Sequence, residues 1–233
     1  MLCQVKCERY SCILKNSSIK MAVNSSKPSG MRRQPRQVRS QERVNQILDV
    51  AEQMFISEGY DATTTNAIAA RAKVSIGSLY QFFPDKMAIL QALTMRYMEL
   101  LHLQFTELNT AETASLPLST FVDQMIDATD RFFIDHPGYH AIFMQVQGTM
   151  PELEAIETVA DAQLIQDLVT FLSQHYSDLD HADYQAIAFV LVKAIGTLLW
   201  LSLSQDQIFR QRLVKETKRL TLSYLESYFP SNF

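Results

Sequence analysis

Residues 63–86 read TTTNAIAARAKVSIGSLYQFFPDK, and this stretch decides the fold. It opens on a run of hydroxyls. Thr64 or Thr65 can cap a helix, because a side-chain oxygen satisfies a backbone N–H that has no partner in the first turn. Ile68, Ala69 and Ala72 then give that helix a small apolar inner face. A turn follows at Ala72-Lys73-Val74-Ser75, with Ser75 placed to cap a second short helix over Ser75–Tyr80. The outward positions of that second helix are Gly, Ser and an aromatic, so little bulk would hold it away from a groove. Two short helices at a steep angle, the second presenting such a face, make the helix-turn-helix arrangement that enters a DNA major groove.

Upstream, Ser40 opens a helix to Ser57 or Glu58, with Val44, Ile47, Leu48, Ala51, Met54 and Phe55 forming one apolar stripe at helical spacing. Gly59 ends it as a C-terminal cap, and Tyr60 and Asp61 lead into the motif, so three short helices share one small core. Downstream, Asp85 caps a long helix to Leu108, whose start belongs to the same unit. A loop over Thr110–Pro117 separates it from helices expected at Ser119–Ile134 and at Gly138–Gln147, the latter with Pro137 in its first turn and Gly148 at its end. Pro151–Tyr176, Asp183–Leu203 and Asp206–Phe229 complete the series, with a polar loop at Asp178–Asp183. No strand-like alternation or repeat interrupts it. The expectation is an all-α chain of about nine helices. Residues 39–86 would form a DNA-binding domain and residues 87–233 a helical effector-binding and dimerisation domain. Residues 1–38, which lack a helical period, read as a disordered basic arm.

The run T-T-T-x-x-I-A-x-x-A-x-V-S-x-G-S-L-Y-x-F-F-P-D-K resembles the tetracycline-repressor (TetR) family of bacterial regulators, over roughly Val44–Leu93. The resemblance implies an all-helical homodimer that binds a palindromic operator in double-stranded DNA and releases it when a small molecule enters the C-terminal domain. By position, Thr65, Tyr80 and Lys86 would touch phosphates, and Ile76, Gly77, Ser78 and Gln81 would face base edges. Thr64 and Ser75 at the caps, Lys73 in the turn and Phe82 at the exit complete the candidate DNA surface. Two positions depart from the family pattern. Lys73 stands where a turn glycine is usual, so a non-glycine must accept any left-handed conformation there. Phe82 stands where a histidine is frequent.

Composition agrees with this reading. Only 6 Gly and 7 Pro among 233 residues, with 47% hydrophobic residues, favour a helical protein with a sizeable core. The net charge of −4 is unevenly spread. Residues 1–43 hold ten Lys and Arg against two Asp and Glu, a net +8, which leaves −12 for the remainder. A basic arm on an acidic body suits a polyanion partner, and Arg32, Arg33, Arg36 and Arg39 lead straight into the first helix, where they could follow a backbone or enter a minor groove. Cys3, Cys7 and Cys12 lie far from any His, which disfavours a zinc site. The remainder carries no cysteine and hence no disulfide framework, which fits a cytoplasmic protein. Met21 and Met31 are alternative starting residues, and the leading segment is assigned no function. The N-terminus lacks the apolar run of a secretory signal. The most apolar stretch, Ala186–Leu201, is broken by Lys193 and short of the ~20 residues of a membrane span, so it reads as a buried helix.

No nucleophile elbow, zinc-binding pair or cofactor motif is present, so no catalytic residue, metal or cofactor is assigned. Asp178, Asp180, His181 and Asp183 lack the glycine and terminal Glu of a calcium loop and read as a solvated connection. The candidate effector site gathers Leu101, Phe105, Phe132, Phe133, His136, Tyr139, His140, Phe143, Met144 and Trp200, a mix of large apolar side chains and a few polar groups. A small apolar or aromatic effector follows. The dimer is expected from the last two helices: Ile187, Val190, Leu191, Ala194, Leu198 and Leu201 on the first, beside the small Gly196 and Thr197. Leu213, Leu220, Leu222, Tyr224, Leu225 and Tyr228 would add the second. The resulting reading is a ligand-responsive transcriptional repressor without a membrane partner. A helical enzyme or carrier with a chance helix-turn-helix, and an effector-independent DNA-binding protein, are the alternatives; operator footprinting and ligand-sensitive release separate them.

Overall fold

The first helix forms because its apolar residues recur every three and four positions, and it stops because Gly59 takes φ 87°, a conformation open to glycine. The computed structural model describes residues 31–32, 38–108, 116–146, 151–176 and 179–229. The arginines at 33 and 36, the three cysteines, Thr110, Gly148 and Asp178 lie outside those residues. Among the described residues nine helices follow in order: α1 Val38–Glu58, α2 Thr65–Arg71, α3 Ile76–Phe82, α4 Lys86–Leu108, α5 Leu118–Asp135, α6 Pro137–Val146, α7 Pro151–His175, α8 His181–Ser202 and α9 Gln207–Glu226. There is no strand among the described residues.

Side-chain caps set most of the starts. Thr64, not Thr65, accepts from Ala67 N–H at 3.2 Å, and Asp85 accepts from Ala88 N–H at 2.8 Å. Asp206 accepts from the N–H groups of Ile208 and Phe209, each at 3.0 Å. Several starts fall one or two residues from the sequence expectation, with α1 at Val38 rather than Ser40, and one of them has a clear cause. α8 begins at His181 rather than Asp183, because Asp180 is its cap and accepts from Asp183 N–H at 2.9 Å. Asp180 is thus spent on the helix end, and no cluster of three His, Cys, Asp or Glu able to hold a metal occurs among the described residues.

One continuous apolar core runs from Val44 in α1 to Phe229 after α9. α1–α3 pack around Ile47, Phe55, Ile68 and Leu79, and α4 carries that core onward through Ile89, Leu93 and Tyr97. α4 then lies against α7 and α5, and α8 packs between α7 and α9. Among the described residues α8 is the one helix long and apolar enough to cross a membrane. One side of it, through Tyr184, Ile187, Leu191, Ile195 and Leu199, is buried in the protomer. The opposite side is apolar and exposed at Phe189, Val190 and Leu201.

Candidate nucleic-acid interface and effector cavity

The turn between α2 and α3 is tightened by Lys73, whose φ of 53° places a non-glycine in the left-handed region. Val74 N–H then donates back to the Ala69 carbonyl at 3.0 Å, and Ser75 caps α3 by accepting from Ser78 N–H at 3.2 Å. Leu79 and Phe82 face the core, which turns Ile76, Gly77, Tyr80 and Gln81 outward. A Cβ built on Gly77 meets nothing within 4 Å, so this surface is open. Phe82 is the exception in the sequence-derived set. It is 5% exposed and belongs to the core, because α3 is only two turns long and needs a second apolar anchor. Its carbonyl accepts from Arg32 N–H at 2.8 Å.

Two flanks border α3. On one, Thr65 Oγ1 and Tyr80 OH lie 3.2 Å apart. Beside them Lys86 donates to the carbonyls of Tyr60 at 2.5 Å and Asp61 at 3.2 Å, and its ammonium sits 4.2 Å from the centre of the Tyr60 ring. Thr65, Tyr80, Lys86 and Asp61 line a surface notch with Thr63, Thr64, Pro84 and Asp85. Burial, reinforced by Asp85 and Asp61, pushes the Tyr60 hydroxyl up to about 12. On the other flank Arg43 of α1 donates to Ser78 Oγ at 3.4 Å. The sequence reading missed Arg43, since only the fold brings two positions 35 residues apart together.

In the C-terminal domain a cavity of about 90 Å³ opens between α4, α5, α7 and α8. Leu101, Phe105 and Phe133 line it, as expected from sequence. The other seven candidates lie outside its lining. Phe132, His136, Tyr139, His140, Phe143 and Trp200 pack against one another as a ring cluster, with Tyr139–Phe143 centroids 4.6 Å apart and Tyr139–Trp200 5.2 Å. Met144 is 48% exposed. Aliphatic side chains replace them in the cavity wall, among them Leu164, Leu168, Leu191 and Ile195 of α7 and α8. The sequence reading did not single out Leu164, Leu168 or Ile195, and it assigned Leu191 to the dimer interface. The three polar side chains in the wall are already engaged: Gln104 donates to the Ala128 carbonyl, Thr129 to that of Met125, and Asp161 pairs with Lys193.

Above the ring cluster, Tyr139 OH donates to Glu157 Oε1 at 3.2 Å. Burial, then the Glu157 charge, pushes the Tyr139 hydroxyl well above its ordinary value. Partial burial lowers the His140 imidazole below its own. The DNA unit and C-terminal domain meet at a polar junction. Arg96 of α4 pairs with Asp49 and Glu52 of α1, and Tyr97 OH donates to Glu52 Oε1 at 2.5 Å. Burial opposes the Arg96 charge, but Glu52 and Asp49 outweigh it and hold the guanidinium above its usual value. Gly138 of α6 closes over this pair, and the Tyr97 and Tyr139 rings lie 5.3 Å apart.

A capped two-helix motif with an open second helix, carried on an otherwise helical chain, defines a helix-turn-helix DNA-binding regulator. Comparison with known proteins gives the family. Residues 47–93 match the bacterial regulatory proteins of the tetR family, and residues 117–225 match the tetracyclin repressor-like C-terminal domain. The chain belongs to the TetR family of transcriptional regulators. It is 29% identical over 181 residues to the HTH-type transcriptional activator FasR of Mycolicibacterium smegmatis, covering 76% of this chain and 80% of that one. A TetR-family regulator from Streptomyces coelicolor superposes with a TM-score of 0.57 at 25% identity, over 79% of this chain and 98% of that one. A putative family member from Syntrophomonas wolfei gives 0.63 at 17% identity, over 83% and 97%.

Proposed function

We propose that this regulator binds a palindromic operator as a homodimer and is released by a small apolar effector held in the α4–α5–α7–α8 cavity, acting as a cytoplasmic repressor. The observation that carries this reading is the course of α4. Its first residue, Lys86, is fastened to the DNA unit, and Leu101, Gln104, Phe105 and Leu108 near its other end form one wall of the cavity. Drug-sized ligands usually occupy roughly 300–1,000 Å³. A cavity of about 90 Å³ must widen to admit one, and α4 is a wall that can give way. Because its polar groups are already paired and its walls are mainly aliphatic, the cavity favours an aliphatic over an aromatic ligand.

Thr65, Tyr80 and Lys86 supply phosphate contacts, and Ile76, Gly77, Ser78 and Gln81 face the bases. The exposed apolar sides of α8 and α9, through Phe189, Val190, Leu201, Phe209 and Leu220, with Tyr228 just past the end of α9, supply the twofold interface. Ile187, Leu191 and Leu225, expected there from sequence, are instead buried within the protomer. A dimer of this kind would place two recognition helices about 34–36 Å apart on DNA.

The test is a selection from random duplexes, followed by titration of alkanes, alkanols and aryl analogues against the selected duplex. Release by aliphatic ligands, accompanied by a change in Trp200 emission, is expected, because Trp200 contacts the cavity-lining Phe133. Coupling must be reciprocal at about 1–3 kcal/mol, so operator should weaken ligand binding by the same factor. Ligand binding that leaves operator affinity untouched would overturn the mechanism. The name of the Mycolicibacterium relative favours activation as a second reading, and a promoter–reporter assay with the selected operator decides the sign.

A further inference from the structure

The recognition helix is notable for what its sequence omits. Ile76–Phe82 reads IGSLYQF and holds no Arg, Lys, Asn or Asp. In the major groove a guanine is most often read by a guanidinium, which places two parallel donors on O6 and N7. Nothing on α3 can make that contact. The fold supplies the missing group from a different helix. Arg43 stands on the outward side of α1, next to the buried Val44, and its Nη1 reaches Ser78 Oγ of α3 at 3.4 Å. Among the described residues no carboxylate lies within 4 Å of it, whereas Arg71, Arg96 and Arg210 are all ion-paired. An exposed guanidinium tied only to a hydroxyl keeps most of its five donors available. Arg39 lies one turn earlier on α1. The Arg32 N–H is bonded to the Phe82 carbonyl at the far end of the same recognition helix.

We propose that Arg43, and not a residue of the recognition helix, is the specificity-determining guanidinium that reads a guanine in each half-site, with Ser78 holding its Nη1 in place. The proposal rests on the DNA-binding reading above. Gly77 completes the arrangement: with no side chain and open space around its Cα, it lets α3 sink deep enough for an α1 side chain to reach the base edges.

The experiment is a selection from random duplexes with the full chain and with Arg43→Ala, Arg43→Lys and Ser78→Ala, followed by affinities on the selected site and its single-base-pair variants. Thermal unfolding confirms that each variant folds, which the exposure of Arg43 favours. The wild-type site should contain one G·C pair per half-site whose replacement costs roughly 5- to 150-fold in affinity. In Arg43→Ala that discrimination should fall below about twofold while preferences elsewhere persist. Arg43→Lys should lose it as well, since the charge remains but the fork does not. Ser78→Ala should weaken discrimination at the same base pair. Uniform weakening across all sequences in Arg43→Ala, with the salt slope lowered by about one, marks a phosphate contact and overturns the proposal. Full discrimination in Arg43→Lys overturns it too. If the wild type shows no sequence preference, the underlying DNA-binding reading fails, and this proposal with it.

Discussion

Gly138→Ala puts a methyl group into the junction between the DNA unit and the C-terminal domain. A Cβ there would lie 2.5 Å from both Glu52 Oε1 and Tyr97 OH, and 3.1 Å from Glu52 Cγ. Ordinary carbon contacts begin near 3.4 Å, so two atoms must each retreat by about 1 Å. Neither retreats easily. Tyr97 is 1% exposed, and Glu52 is held by Arg96 as well as by Tyr97. Overpacking of this kind costs ~1–3 kcal/mol. Alanine returns at most ~1 kcal/mol of helix propensity over glycine. The net loss, of order 1–2 kcal/mol, should lower the melting temperature by several degrees, at ~2–4 °C per kcal/mol for a chain of this size. Glu52→Ala removes two of the three close contacts and frees the Tyr97 hydroxyl of its carboxylate partner, so in that background Gly138→Ala should cost clearly less than in the wild type. The double-mutant cycle, measured by thermal unfolding, isolates the contact. Equal destabilisation by Gly138→Ala in both backgrounds would refute the reasoning.

Gly196 offers the opposite case: its Cβ meets nothing within 4 Å in the middle of α8, so Gly196→Ala should stabilise by ~0.5–1 kcal/mol in chemical denaturation. Removing the α3 cap with Ser75→Ala should cost ~1 kcal/mol, read by the same measurement, and no loss would mean that the Ser75–Ser78 bond is not formed in solution. Phe189→Glu should shift the protein to monomer in sedimentation and abolish tight operator binding; a dimer of unchanged affinity would place the interface elsewhere. Because burial lowers the His140 pKa, the folded state binds fewer protons than the unfolded chain just below the ordinary value of 6.5. Stability should therefore decline on acidification through that window, and His140→Gln should flatten the curve.

The local features proved the most legible. Thr64, Ser75 and Asp85 were readable as caps because capping depends on a side chain and a backbone only two or three residues away. The left-handed turn at Lys73 was expected through the family resemblance, which puts a glycine at that position. The cavity between α4, α5, α7 and α8 was not legible. The aromatic residues around Tyr139 look like a ligand site in sequence, but rings that can satisfy one another pack together, and the gap opens instead where aliphatic side chains of four helices fail to meet. Helical spacing likewise identified α8 as apolar without revealing which side is buried. Ile187 and Leu191 face inward while Phe189 and Val190 face out, because the placement of α7 and α9 decides the side. Arg43 is the extreme case, since no local rule links it to Ser78.

α4 also has the proportions of a balanced lever. Arg96 and Tyr97, clamped to α1, stand near its middle. At 1.5 Å per residue, Lys86 lies about 16 Å to one side of that fulcrum and Phe105 about 13 Å to the other. A rigid rod on such a pivot returns a displacement of ~1 Å at Phe105 as a similar displacement of opposite sign at Lys86, neither amplified nor lost. On the proposed mechanism, the Arg96–Glu52 clamp joins the middle of α4 to α1 of the DNA unit, so loosening it would let the cavity end of α4 swing with less movement of that unit.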